Sequence, residues 1–196
     1  MSDFNVIRGV SRTLRGLLED HITNDGDPAL NGVPIDLRSP REMRDNANAQ
    51  GISVWLYRVM RDANALNLPL DRKVVNQVPR KPFPVDCYYL LTPIANSPDD
   101  EQLLLGRVLQ TFQDHPLLRG SDLRDSLQNT SEELRVTLET LSLEDLTRVW
   151  HSLGEPYQLS MSVLVQLVHI DSAHEPARVE PVLVKTTTYA QILSER

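Results

Sequence analysis

Val85-Asp86-Cys87-Tyr88-Tyr89-Leu90-Leu91 is apolar on both faces apart from Asp86, and it is rich in β-branched and aromatic residues. A strand with two apolar faces belongs in the middle of a sheet, covered on both sides. Thr92-Pro93 is expected to end it, because proline donates no ladder hydrogen bond. Ile52-Ser53-Val54-Trp55-Leu56-Tyr57-Arg58-Val59, bounded by Gly51 and by Asp62-Ala63-Asn64, predicts a second strong strand. Leu134, Val136 and Leu138 alternate with polar residues and predict a third, half-buried one. Residues 159–170 place Leu159, Met161, Val163, Val165 and Leu167 on one face and Ser160, Ser162 and Gln166 on the other, the pattern of a long antiparallel strand. Val33, Ile35 and Leu37 predict a short strand ending at Ser39-Pro40.

Helical spacing separates these strands. Ile7, Val10, Leu14, Leu17 and Leu18 form one apolar stripe over residues 3–21, with Ser2 or Asp3 as cap. Asn24-Asp25-Gly26-Asp27-Pro28 breaks that helix. Ser97-Pro98-Asp99-Asp100-Glu101 opens a second helix with a cap, an early proline and acids at the positive end of the dipole. Its buried stripe is Leu104, Leu105, Val108, Leu109 and Phe112, and it ends near His115-Pro116. Ser142-Leu143-Glu144-Asp145 resembles a capping box and opens a third, carrying Leu146, Val149, Trp150 and Leu153. Gly154 then stands where a C′ residue belongs, with Pro156 after it. Strands interspersed with amphipathic helices give an α+β class: a mixed, largely antiparallel sheet flanked by helices. The domain is expected to span 1–171, with 172–196 as an extended C-terminal arm.

The chain has 196 residues, 40% hydrophobic and 24% charged, the balance of a globular protein. Its net charge of −7 disfavours nucleic acid, whose phosphates would repel it. The charge is uneven: residues 1–98 hold 12 Lys/Arg and 11 Asp/Glu, whereas residues 99–196 hold 8 and 16. Such polarity suits head-to-tail assembly as well as simple solvation of helix faces. No run approaches the length of a membrane span and the first residues, Met1-Ser2-Asp3-Phe4-Asn5, carry no secretion signal, so a cytoplasmic location is expected.

Little in the sequence points to catalysis. Phosphate-binding glycine loops, the nucleophile elbow and the H-E-x-x-H zinc motif are missing. His21, His115, His151, His169 and His174 lack metal-ligand spacing, and His115 and His151 are expected to cap helix C-termini. Cys87, in the middle of an apolar strand, is expected to be an inert buried thiol. Asp99-Asp100-Glu101, Glu132-Glu133 and Glu144-Asp145 read as caps, dipole partners or solvated charge. Two features point instead to partners. The long connection 62–84 carries Arg72, Lys73, Arg80 and Lys81 among four prolines. Residues 177–189 carry Val179, Val182, Val184 and Thr186 around Pro181, an edge-type strand that could join another chain or fold back within its own.

Several segments in fixed order resemble a known family. They are Ser2-Asp3-Phe4-Asn5; Val54-Trp55-Leu56-Tyr57-Arg58-Val59; Asn67-Leu68-Pro69; Tyr88-Tyr89-Leu90-Leu91-Thr92-Pro93; Leu104-Leu105-Gly106-Arg107-Val108-Leu109-Gln110; Leu143-Glu144-Asp145-Leu146-Thr147-Arg148-Val149-Trp150; and Pro156-Tyr157. Over about residues 1–171 the chain is similar to the N-terminal domain of the cap, or tail-terminator, proteins of extracellular contractile injection systems. These are phage-tail-like particles of the antifeeding-prophage and virulence-cassette type. The resemblance implies a tail-terminator fold and a homohexameric ring at the end of the tail distal to the baseplate. Its implied partners are the inner tube protein and the sheath protein, with the tape-measure protein as a further candidate, and it implies no cofactor. Arg72, Lys73, Arg80, Lys81, Val179, Val182, Val184 and Thr186 are then the candidate partner-binding residues. The residues alone leave open a peptide-binding adaptor or regulatory module, and a small hydrolase built from scattered histidines and acids.

Overall fold

A computed structural model of the protein describes residues 3–24, 27–28, 30–45, 50–63, 65, 77–78, 80–174 and 177–178. Helix α1, Val6–Leu18, ends in a wider turn over Glu19–Thr23. Then come strand β1, Ile35–Asp36, the short helix α2, Pro40–Arg44, and strands β2, Gly51–Arg61, β3, Gln77–Val78, and β4, Phe83–Ile94. Helix α3, Pro98–Asp114, leads to β5, Leu117–Arg119, and two single helical turns at Gly120–Asp122 and Asp125–Leu127. The chain continues through β6, Glu133–Glu139, α4, Leu143–Leu153, β7, Met161–Ile170, and β8, Ala177–Arg178. None of the described helices is long and apolar enough to cross a membrane.

One six-stranded sheet has the order β1-β2-β4-β7-β6-β5. β1 runs parallel to β2, and every other neighbour is antiparallel. β4 is flanked on both sides, as its two apolar faces require. The expected stop at Thr92-Pro93 is wrong, for β4 continues to Ile94. Its pairing with β7 reaches only Leu91 opposite Met161, so beyond that point the proline's missing N–H costs no bond on that side. β3 and β8 form a separate two-stranded ribbon, Gln77 opposite Arg178 and Val78 opposite Ala177. The start of the arm therefore folds back on its own chain; the remainder, from residue 179, lies outside the described residues.

The main core fills one face of the sheet. Val10, Leu14 and Leu18 of α1 and Val108 of α3 pack on Val54, Cys87, Tyr89 and Val165, all 0–1% exposed. A smaller core fills part of the other face, where Trp150 and Leu153 of α4 cover Leu90, with Trp55 and Tyr57 alongside. The Trp150 indole N–H donates to Ser160 Oγ at 3.0 Å, so the ring is buried without an orphaned donor. Helix α4 begins as its sequence predicts: Ser142 Oγ accepts the Asp145 N–H at 3.1 Å and donates to that carboxylate at 2.7 Å. It ends at Gly154 in the left-handed region, φ 71. Ser97 caps α3 in the same manner through Asp100.

Four local expectations need correction. The first helix starts at Val6 and not at residue 3, and its N-cap residue, Asn5, makes no side-chain cap bond. Asp3 instead accepts the Asn5 N–H at 2.9 Å, a local turn that competes with capping. Leu109 is 38% exposed, because α3 buries only the narrow stripe Leu104, Val108, Thr111 and Phe112. The alternation of 159–170 breaks at Leu167, whose φ is +66, and Val168 takes the buried position opposite Val85. A bulge there re-aims every later side chain, which period-2 reading cannot foresee.

Candidate assembly surfaces

Among the described residues β2 presents the longest unpaired backbone edge. β1 pairs with it only at Ile52 and Ser53, and among the described residues no strand pairs with that side from Val54 onward. An open edge offers unsatisfied N–H and C=O groups to an incoming strand. The register of β2 on β4 shifts between Leu56 and Arg58, so Tyr57 is the extra residue of a bulge. Beyond that bulge β2 is exposed: Val59 is 43% and Met60 39% accessible, and Phe83 of β4 is 47% accessible.

Cations cluster at this end of the sheet. The Arg58 guanidinium lies 5.2 Å from the Tyr88 ring centre and that of Arg61 lies 5.3 Å from Phe83. Both rings hold a cation over their negative faces, which fixes two otherwise flexible side chains. Arg80 and Lys81 lead directly into β4 and are exposed. The structure thus places two of the sequence-derived candidates beside two basic residues the sequence did not single out. The signal was available: Arg58 and Arg61 are the only cations of β2, grouped in its last half. Arg72, Lys73, Val179, Val182, Val184 and Thr186 lie outside the described residues.

Asp86 sits under this surface. Burial first, and the neighbouring Asp62 carboxylate second, hold its carboxyl above the usual range, against a hydrogen bond from Gln166. A raised folded pKa means a stabilising contribution at acid pH that is lost as pH rises through it. Asp86→Asn is therefore expected to raise the unfolding temperature at pH 7. The gain should vanish at about pH 3, where the wild-type carboxyl is protonated in both states. Thermal melts of both proteins at the two pH values check this.

Other polar groups are tied into the fold. Tyr57 Oη lies 3.0 Å from Ser162 Oγ, and Ser162 donates to Glu139 at 2.7 Å, joining β2, β7 and β6. Burial raises the Tyr57 pKa, keeping the phenol protonated. His21 and His115 do meet, with ring centres 4.5 Å apart. Each turns Nδ1 to a carbonyl of its own helix, Leu17 at 2.9 Å and Thr111 at 3.0 Å, as the capping expectation for His115 requires. Cys87 is fully buried, and its thiol is pushed up to about 12, mainly by desolvation. Among the described residues no three His, Cys, Asp or Glu side chains group as metal ligands.

The sheet carries a helical layer on each face, α1 and α3 on one and α4 on the other. The chain belongs to the Pvc16 N-terminal domain family, which it matches over residues 9–183. Its fold is shared with solved structures. One is the sheath/tube terminator of an extracellular contractile injection system, PVC, in its extended state. The likeness has a TM-score of 0.63 at 20% identity and covers 97% of this chain and 65% of that one. Another is the tube-terminating cap of the anti-feeding prophage, with TM-score 0.63, 21% identity and coverage of 92% and 60%. The chain thus spans less than two thirds of the length of either. None of the curated proteins matches it.

Proposed function

We propose that this protein is the structural cap of a contractile injection system. In this reading it forms a homohexameric ring on the distal end of inner tube and sheath and stops both from growing. The observation that carries the reading is the fold shared over 97% of the chain with a sheath/tube terminator. A ring closes through a heterologous contact, one patch meeting a different patch on the next subunit. A terminator needs one face that fits the last tube ring and no second such face, so the next subunit finds nothing to pair with. That role makes and breaks no covalent bond and needs no cofactor. The arm, 172–196, and the basic residues Arg72, Lys73, Arg80 and Lys81 are the parts we assign to sheath and tube contacts. Strand addition and repetition around the ring turn weak contacts into firm attachment. Assembly in the cytoplasm, with the tape-measure protein at the tube axis, completes the reading.

Particles from cells lacking this protein should show tails of irregular length in electron micrographs, with ragged distal ends. Chains ending at residue 176 should restore uniform tubes but hold sheath poorly. Uniform tail lengths without the protein would remove the cap reading, and full sheath attachment by the shortened chain would remove the role of the arm.

A further inference from the structure

Phe4 is 84% exposed, the most accessible large apolar side chain among the described residues. It does not dangle. The Asn5 N–H and side-chain amide both donate to the Asp3 carboxylate, at 2.9 and 3.1 Å, and the Val6 N–H donates to the Asp3 carbonyl at 3.1 Å. The turn therefore holds the ring at the head of α1. At 100° per residue Phe4 falls in line with Arg8, Arg12 and Arg15, all exposed. Asp125 lies 2.7 Å from Arg8 and 3.9 Å from Arg12, and Glu19 lies 2.6 Å from Arg15, which leaves Arg12 the least tightly paired of the three.

The outer face of α3 is its counterpart in character. Leu103 and Leu109 are 46% and 38% exposed, with Gly106 between them. A Cβ on Gly106 would meet nothing within 4 Å among the described residues, so none of them requires a glycine there, although mid-helix glycine costs about 1 kcal/mol against alanine. Beside it lies an open cavity of about 490 Å³ that Leu30, Leu103 and Gly106 help to line. Exposed acids bracket the patch, Asp99 and Asp100 at one end of the helix and Asp114 at the other.

We infer that these two faces meet between copies of this chain: Phe4 of one subunit seats over Gly106 of the next, between Leu103 and Leu109. The spacing fits. Arg8 and Arg12 stand about 6 and 12 Å beyond Phe4 along α1, and the α3 acids stand about 9 to 12 Å from Gly106. The arginines of one copy then face the carboxylates of the other while the phenyl ring leaves water. The contact joins two different patches, as a closed ring requires, and it rests on the ring reading above.

Sedimentation velocity on the wild type, alone and with isolated tails, and on Phe4→Ala and Gly106→Arg tests it. Neither change touches the core, and circular dichroism should report both variants folded. Wild type should assemble. Each variant alone should lose at least about 30-fold in association, the scale of an aromatic hot spot. Mixed together they should form 1:1 dimers and nothing larger, because one retains Phe4 and the other an open α3 face. Wild-type assembly unaffected by either substitution, or a mixture that stays monomeric, overturns this interface and leaves the cap reading standing. A wild type monomeric under both conditions overturns both.

Discussion

Trp150→Ala is expected to cost about 3–5 kcal/mol of unfolding free energy, the range for emptying a large aromatic site. The indole is fully buried and is the largest member of the small core on the α4 side of the sheet. Only Leu90 and Leu153 share that core as buried residues, so the cavity has few neighbours able to collapse into it. The loss should also be regional. α4 is held to the sheet mainly through this cluster, with Arg41 of α2 donating to the Leu153 carbonyl at 2.8 Å as a polar tie. The main core, built by α1 and α3 on the opposite face, is untouched. Hydrogen exchange should therefore accelerate across 143–153 well before it does in β4. Trp150→Phe keeps most of the volume and loses only the donor to Ser160, which still donates to the Gln158 carbonyl at 3.0 Å. It should cost about 1 kcal/mol beyond the missing area. Denaturant midpoints of the three proteins check the order, and an alanine variant within about 1 kcal/mol of wild type would contradict it.

Gly51→Ala should be nearly as damaging for a backbone reason. Gly51 has φ +142, a region that side chains rarely enter. A Cβ there would collide with the Pro34 carbonyl oxygen. That oxygen accepts the Ile52 N–H at 2.9 Å and sets the register of β1, Ile35 opposite Ile52. Alanine forces a choice between strain and loss of that bond, together about 2–4 kcal/mol. The Ile52 amide should lose its exchange protection in the variant. Gly51→Val should match alanine closely, since the first carbon alone makes the clash; a valine variant far worse than alanine would place the cause elsewhere.

What could be seen in the chain beforehand follows the range of the forces involved. Ser97 and Ser142 act within three residues, so their caps were legible, as was Gly154. β2, β4 and β7 were legible because each carries a run of β-branched, aromatic or alternating apolar residues long enough to read without its neighbours. The parallel pairing of β1 was not, since it depends on the Pro34 carbonyl meeting the Ile52 N–H from a distant part of the sequence. The bulges at Tyr57 and Leu167 were equally hidden, because they reconcile two strands and belong to neither alone. β5 and the helical turns after it leave no mark in the sequence because their short apolar segments, Leu117-Leu118 and Leu123, show no period. Of the candidate surfaces, the cations at 80–81 could be named but not their company. Arg58 and Arg61 join them only once β2 and β4 lie side by side. Phe4 lies off the apolar stripe Ile7, Val10, Leu14, Leu17 and Leu18, in keeping with its exposure, and the turn made by Asp3 adds that the ring is held at the head of α1.

The bulge at Tyr57 has one more consequence. A long, flat, bare strand is a template for fibrils, because each arrival exposes a fresh copy of the same margin. Here the kink twists the second half of β2 out of line with the first, and two arginines stand where a stacked copy would bring two more. Runaway stacking of identical subunits is thereby disfavoured while a differently shaped visitor can still be received. In the cap reading proposed above, a molecule that makes a filament finite would be poorly served by a margin that seeds another.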